Sequence, residues 1–252
     1  GVCSITEISG FDDRGKLVAN AIILIVGMPD SIHLSRWLKQ VRGASANFVV
    51  VGTSPYRALH QDLVRLLGEN LQFVELFPPV VLRGRNLTPA AVFLMDQLLG
   101  DRLRGFALRR LILKLKPHLV HVNELRVGGF PLSRAIRSSD SPRMKVWSTN
   151  YGNELSWFSR SRSGKAKLVK LLARSDAFSA ECIRDVELAL ELGFQGAVMP
   201  TVPVSGGLEV RDSDPEKRTT IAVKGYDNRW GMGAMALEEV VKAIADSKSK
   251  EL

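Results

Sequence analysis

Six residues are best placed for chemistry on a polar ligand: His33, Asn123, Glu124, Tyr151, Gly152 and Glu154. Each stands at or just beyond the end of a short apolar run. His33 comes soon after residues 21–27 (AIILIVG), Asn123 and Glu124 close the run 117–123 (PHLVHVN), and the other three come after 145–149 (KVWST). His121, Thr149, Asn150 and Asn153 lie among them. Amides, hydroxyls and carboxylates together supply both donors and acceptors, which is what a polyhydroxylated ligand such as a sugar requires. Taken singly, each has an ordinary structural role as well. Asn and Gly form turns, and His33 falls where a helix is expected to begin, as a cap or a surface residue. Two such clusters at successive run ends point to a cleft.

Other chemistries lack their residues. A dinucleotide site of the G-x-G-x-x-G kind needs further glycines after the first run, where Gly27 stands alone, and there is no phosphate-binding P-loop. The two cysteines, Cys3 and Cys182, are far apart and form neither a disulfide framework nor a zinc cluster, a pattern that fits a reducing compartment. No metal site is expected.

The elements that must position these groups can be read from the spacing of apolar residues. Buried strands are expected at 21–27, 48–53, 71–77, 117–123, 145–149, 177–180 and 197–200. Between them helical spacing occupies 34–41, 56–67, 89–116, 129–138, 166–173 and 183–192, the last stopped by Gly193. Strand and helix in regular alternation predict an α/β fold with a doubly wound, mostly parallel, Rossmann-like sheet. Ligands of such sheets bind beyond the carboxyl ends of the strands.

The pattern changes at residues 205–218 (SGGLEVRDSDPEKR), a polar stretch that reads as a linker. One strand (219–226) and one helix (234–245) come after it. The expected division is therefore a first domain at 1–204, the linker, and a second domain begun at 219–252 and cut short.

Net charge is +9 with an isoelectric point near 9.8, which favours anionic partners without choosing among them. No helix-turn-helix, zinc finger or RNA-binding aromatic motif is present, so nucleic acid is not the expected partner. The longest apolar run, residues 21–26, is far below the ~20 residues that span a bilayer. Residues 101–116 (DRLRGFALRRLILKLK) interleave Arg and Lys with Leu, Ile and Phe. Such a helix either packs its apolar side on the sheet, the expected arrangement, or lies on an anionic membrane.

Several segments, in order, resemble the GT-B glycosyltransferases of family 4. SIHLSRWLKQV resembles their His-x-x-Arg-Trp segment, LKPHLVHVNEL their "kPDlIHvH-e" strand, and STNYGNEL their "T-x-H-G-x-D-l" turn. ARSDAFSAECIRDVELALELGFQGAVMPTVPV resembles the close of their N-terminal domain, and IAVKGYDNRWGMGAMALEEV the opening of their C-terminal domain. The resemblance runs from about residue 21 to the end. It implies the N-terminal half of a GT-B protein with a truncated second domain. The implied activity is a retaining, metal-independent transfer of a hexose from a nucleotide-diphosphate sugar to a glycan or lipid-linked acceptor. No cofactor beyond that donor is implied. The implied location is cytoplasmic, at the inner membrane face, with peripheral contact to an anionic membrane. His33, Asn123, Glu124, Tyr151, Gly152 and Glu154 fall on the acceptor side of the cleft, and Lys224, Gly225 and Arg229 near the donor phosphates. Three departures stand out. Asn123 and Tyr151 occupy positions where the family has histidine, Lys224 and Arg229 do not keep the family's Arg-x5-Lys spacing, and the family's paired glutamates are expected beyond Leu252. These 252 residues alone are expected to turn over little or no nucleotide-sugar. The alternative is a non-catalytic relative that binds a glycan, a nucleotide or a partner.

Overall fold

The computed structural model describes residues 21–41, 43–54, 58–68, 70–76, 81–82, 85–86, 89–136, 144–203, 227–228 and 231–249, with the backbone only at 81–82, 85–86, 89, 227–228, 231–236 and 247–249. In chain order the first elements are β1 (Ala21–Gly27), α1 (Ile32–Val41), β2 (Ala46–Gly52), α2 (Gln61–Leu66) and β3 (Leu71–Glu75). A hairpin of β4 (Val81–Leu82) and β5 (Arg85–Asn86) precedes α3 (Pro89–Leu98) and α4 (Arg102–Leu115). Next come β6 (Leu119–Val122), a π-helical turn at Leu125–Gly129 and α5 (Phe130–Ala135). The series continues with β7 (Lys145–Thr149), α6 (Glu154–Ser159), α7 (Arg162–Leu172), β8 (Ala177–Ser179), α8 (Ile183–Glu191) and β9 (Ala197–Val198).

Seven strands form one sheet in the order β3-β2-β1-β6-β7-β8-β9, and every pairing is parallel. The fold is thus the doubly wound, Rossmann-like sheet that the alternation predicts. β1 is central and buried on both faces, which is why it reads as a continuous Ile/Leu/Val run instead of an alternating one. Ile23 and Ile25 pack with Leu34 and Leu38 of α1 and Leu63 of α2. Leu24 and Val26 pack on the other face with Leu108 and Ile112 of α4, Leu132 of α5 and Leu168 of α7. The strand order reverses between β1 and β6, so the crevice of such a sheet opens there, beyond Gly27 and Val122.

Several predicted helices differ: 56–67 is confined to α2 (Gln61–Leu66), with residues 58–60 outside it, and 166–173 starts earlier, at Arg162. The span 89–116 divides into α3 and α4 because Gly100 (φ 68°) and Asp101 (φ 66°) both adopt the left-handed conformation. Asp96 of α3 then caps α4, its carboxylate accepting from the Leu103 and Arg104 amides at 2.7 and 3.2 Å. The span 129–138 opens earlier than predicted, as the π-helical turn. Gly128 lets that turn lie on the strand ends, because a Cβ there would come within 2.8 Å of the Val26 carbonyl oxygen.

α7 is closed at its start by Ser161, whose hydroxyl accepts from the Gly164 amide at 3.0 Å. Ser161→Ala is expected to cost ~1 kcal/mol in a urea-unfolding measurement.

Contacts divide the chain into two units, Gly1–Leu208 and Glu209–Leu252. The second contains an antiparallel pair, β10 (Asp227–Asn228) with β11 (Gly231–Met232), and α9 (Gly233–Ser249). The predicted linker 205–218 and strand 219–226 lie outside the described residues, as do Lys224, Gly225 and Arg229.

Candidate functional site

In a sheet of this order the ligand crevice is expected at the β1/β6 switch point, where the segments just beyond β1, β2, β6 and β7 lie. After β1 the chain turns at Met28–Ser31, with the Ser31 amide donating to the Met28 carbonyl at 3.1 Å. Ser31, not His33, then caps α1: its hydroxyl accepts from the His33 amide at 3.2 Å. His33 is left half-buried in the first turn, its Nδ1 buried without a partner and its ring centroid 5.1 Å from that of Tyr151. Burial, aided by the nearby Arg36 charge and opposed by Glu181, holds its pKa below the usual imidazole value, so it is neutral at neutral pH.

Asn123 ends β6, its amide bonded to the Val26 carbonyl at 3.0 Å. Its side chain is 3% exposed, and Oδ1 has no hydrogen-bond partner. Thr53, just beyond β2, is fully buried, and its hydroxyl is likewise unpartnered. Two of these buried polar atoms without partners belong to residues just beyond β2 and β6, and the third, His33 Nδ1, to the first turn of the helix that follows β1. Buried polar groups are ordinarily satisfied, so these atoms make the switch point a candidate place for a ligand's polar groups.

Two carboxyl groups accompany them. Glu124 is 8% exposed, and burial, with the nearby Glu154 and Asp30, pushes its pKa up to about 8. Glu154 accepts from the Leu125 and Arg126 amides at 2.7 and 3.2 Å and so caps the π-helical turn. Burial outweighs those two bonds and raises its pKa to about 7. Two acids poised near neutrality at a strand end can hold, donate or accept protons toward hydroxyl groups. The segment beyond β2 and the π-helical turn are braced by Arg104, which is 1% exposed. Its guanidinium pairs with Asp96 and Asp101 at 2.5 Å each and donates to the Thr53 carbonyl at 3.1 Å and the Val127 carbonyl at 3.3 Å. Lys167 completes the set on Asp101 at 2.6 Å.

The structure therefore brings His33 into ring contact with Tyr151, and Asn123, Glu124 and Glu154 around the π-helical turn. Gly152 is exposed in a left-handed turn (φ 58°), with its carbonyl accepting from Asn150 Nδ2 at 3.1 Å. Asn150 is occupied internally: it also binds the Leu155 amide at 3.0 Å and Asp185 at 2.7 Å. Thr53 and Arg104 were not singled out by the sequence. His121 lies on the α1 face of the sheet, against Trp37 (4.5 Å) and stacked on Trp147 (4.3 Å, 16°), and is bonded through Nε2 to Thr149 at 2.8 Å, with its buried Nδ1 also lacking a hydrogen-bond partner. Burial lowers its pKa to about 3, so it stays neutral. Among the described residues no three His, Cys, Asp or Glu side chains group to hold a metal ion.

No protein-family model matches the sequence, and no curated protein matches it. The chain is similar to a solved UDP-N-acetylglucosamine 2-epimerase, with TM-score 0.47, 13% identity, and 71% of this chain and 47% of that one covered. It is also similar to a lipopolysaccharide outer core galactosyltransferase in its apo form (0.46, 8%, 72% and 45%). A third is a UDP-glucosyltransferase from Polygonum tinctorium (0.44, 12%, 81% and 55%). The chain spans about half the length of these structures.

Proposed function

We propose that this chain is the acceptor-side half of a GT-B glycosyltransferase that moves a hexose from a nucleotide-diphosphate sugar to a glycan or lipid-linked acceptor. The transfer is retaining and needs no metal, and the protein works in the cytoplasm at the inner membrane face. The observation that carries the reading is the set of unpartnered buried atoms at the switch point, His33 Nδ1, Thr53 Oγ1 and Asn123 Oδ1. A hydroxyl-rich acceptor supplies a donor and an acceptor at each hydroxyl, which is the complement such a set requires. Glu124 and Glu154 add groups that exchange protons near pH 7. Lys224, Gly225 and Arg229 are proposed to face the donor diphosphate, where cations and amides stabilise charge on the leaving group.

A second reading is favoured by Asn123 and Tyr151. Neither has an imidazole's protonation at neutral pH, so a relative that binds the glycan without transferring a sugar fits the same crevice.

Ligand-observed NMR against a panel of mono- and oligosaccharides tests the shared core of both readings. Binding is expected, and Asn123→Ala should weaken it about 10-fold, as for loss of one buried hydrogen bond to a polar ligand. Absence of binding by every sugar, with the fold intact, overturns the proposal. Transfer of label from UDP-, GDP- or ADP-hexose then separates enzyme from binding relative.

A further inference from the structure

We infer that a cavity between α1 and the sheet binds a neutral, two-ring aromatic molecule that accepts a hydrogen bond. Ile23, Phe48 and Leu119 share a row across β1, β2 and β6 and form part of its lining. Ile23 and Phe48 stand in the first halves of β1 and β2, so the cavity lies toward the amino ends of the strands, away from the crevice beyond their carboxyl ends. Trp37, His121 and Trp147 line it as well, and its volume is about 250 Å3. An apolar cavity of ~150 Å3 holds a benzene ring, so this one has room for two fused rings. Among the described residues no charged side chain lines it, and His121 is neutral. A charged ligand would lose its hydration there without an opposing charge, while an aromatic one gains ring contacts and apolar burial.

The hydrogen bonds around His121 decide which polar atom the ligand carries. Trp147 Nε1 can only donate, and it donates to Ser179 Oγ at 2.9 Å. Ser179 Oγ lies 2.8 Å from Thr149 Oγ1, which lies 2.8 Å from His121 Nε2. Each hydroxyl has one proton to give. When Ser179 donates to Thr149, and Thr149 to Nε2, every proton along this chain has an acceptor. In the opposite sense the Ser179 proton has none among these contacts. Nε2 is therefore the acceptor, and in a neutral imidazole the proton then sits on Nδ1. Nδ1 is buried with no partner, although buried donors are ordinarily bonded. A ring nitrogen or carbonyl oxygen on the ligand supplies that bond, and a second donor does not. Of the two rings against the imidazole, Trp147 is held by its bond to Ser179, so half-buried Trp37 is the one that yields when a ligand reaches Nδ1. The inference does not depend on the functional reading, since it uses none of the residues assigned to the crevice.

Titration with quinoline, whose ring nitrogen accepts, and with indole, whose ring nitrogen donates, tests it. In NMR of the tryptophan side-chain N–H groups, quinoline should shift the signals of Trp37 and Trp147 and leave that of Trp157, on α6, in place. Quinoline should bind about 10-fold more tightly than indole, the effect of one buried hydrogen bond. His121→Phe keeps a ring in the stack and removes Nδ1, so it should bring quinoline down to the level of indole. Ala44→Leu adds bulk to the lining at a half-buried position and should weaken both at least about 10-fold. A urea midpoint close to that of wild type shows that each variant is folded, and the wild-type titration stands without them. Unmoved Trp37 and Trp147 signals, indole binding as tightly as quinoline or more so, or quinoline binding indifferent to His121→Phe or Ala44→Leu overturns the inference.

Discussion

Arg104→Ala is expected to remove about 3–5 kcal/mol of folding free energy, the usual cost of leaving buried charge without its partner. The geometry places this among the most damaging single changes to the described side chains. Asp96 is 0% and Asp101 3% exposed, so neither carboxylate can turn to water once the guanidinium is gone. The loss also frees the carbonyls of Thr53 and Val127, which Arg104 ties together across 51 and 23 residues of sequence. In urea the midpoint should fall by about 1–2 M for a domain whose free energy changes by ~2–3 kcal/mol per molar. Arg104→Lys keeps one charge but cannot make the forked contacts, and should recover only part of the loss. The exposed pair Arg65–Asp62 gives the contrast. Asp62→Ala should shift the midpoint barely at all, because such pairs contribute under ~1 kcal/mol. A wild-type-like Arg104→Ala would mean the network is dispensable.

The second large effect concerns pH. Glu124 and Glu154 have folded pKa values of about 8 and about 7, both above the ordinary carboxylate value of 4.5. Between pH 4.5 and 8 the unfolded chain has released these protons while the folded chain holds them. Folding takes up protons in that window, so stability is fully present below the unfolded value and declines as pH rises through the folded values. Wild type is expected to lose on the order of 5 kcal/mol between about pH 5.5 and 8.5 from the pair. Glu124→Gln removes one of the two proton releases and the repulsion on Glu154. Urea unfolding should therefore find the variant more stable than wild type at about pH 8.5 and close to it at about pH 5.5. Parallel pH profiles for the two proteins would show that Glu124 does not retain its proton in the folded state.

The central strands were legible because burial on both faces leaves no room for polar alternation. β1 and β7 occupy the spans predicted, 21–27 and 145–149, and the other strands of the main sheet differ only at their ends. α6 was missed: six residues starting at Glu154 lack the length for a helical pattern, and Leu155, fully buried, anchors them by packing. The break between α3 and α4 was hidden for a different reason. Apolar spacing continues through Gly100 and Asp101, and only the tertiary pairing of Asp96 with Arg104 shows why the chain stops and restarts. The same pairing hid Arg104, which the sequence places among solvated basic residues. Thr53 reads as the last residue of a strand, and its unsatisfied hydroxyl emerges only when every buried partner is accounted for. Gly152 was legible as a turn former, and its left-handed backbone bears that role. Asn123, Glu124, Tyr151 and Glu154 could be singled out because the rule that ligands gather at carboxyl ends of parallel strands needs only the strand ends.

The strand order also shapes how the molecule assembles itself. β1, β2 and β3 pair with near neighbours in sequence, as do β6, β7, β8 and β9, so each half-sheet closes through short connections. The join between the halves does not: the bond from the Ile22 amide to His118 Nδ1 spans 96 residues. Closure over such a distance carries the larger entropy cost, and chains of this size commonly pass through partly assembled species. The crevice lies on that join and exists only after the halves have met. In a refolding time course, far-ultraviolet ellipticity should return first, and sugar binding should lag behind it.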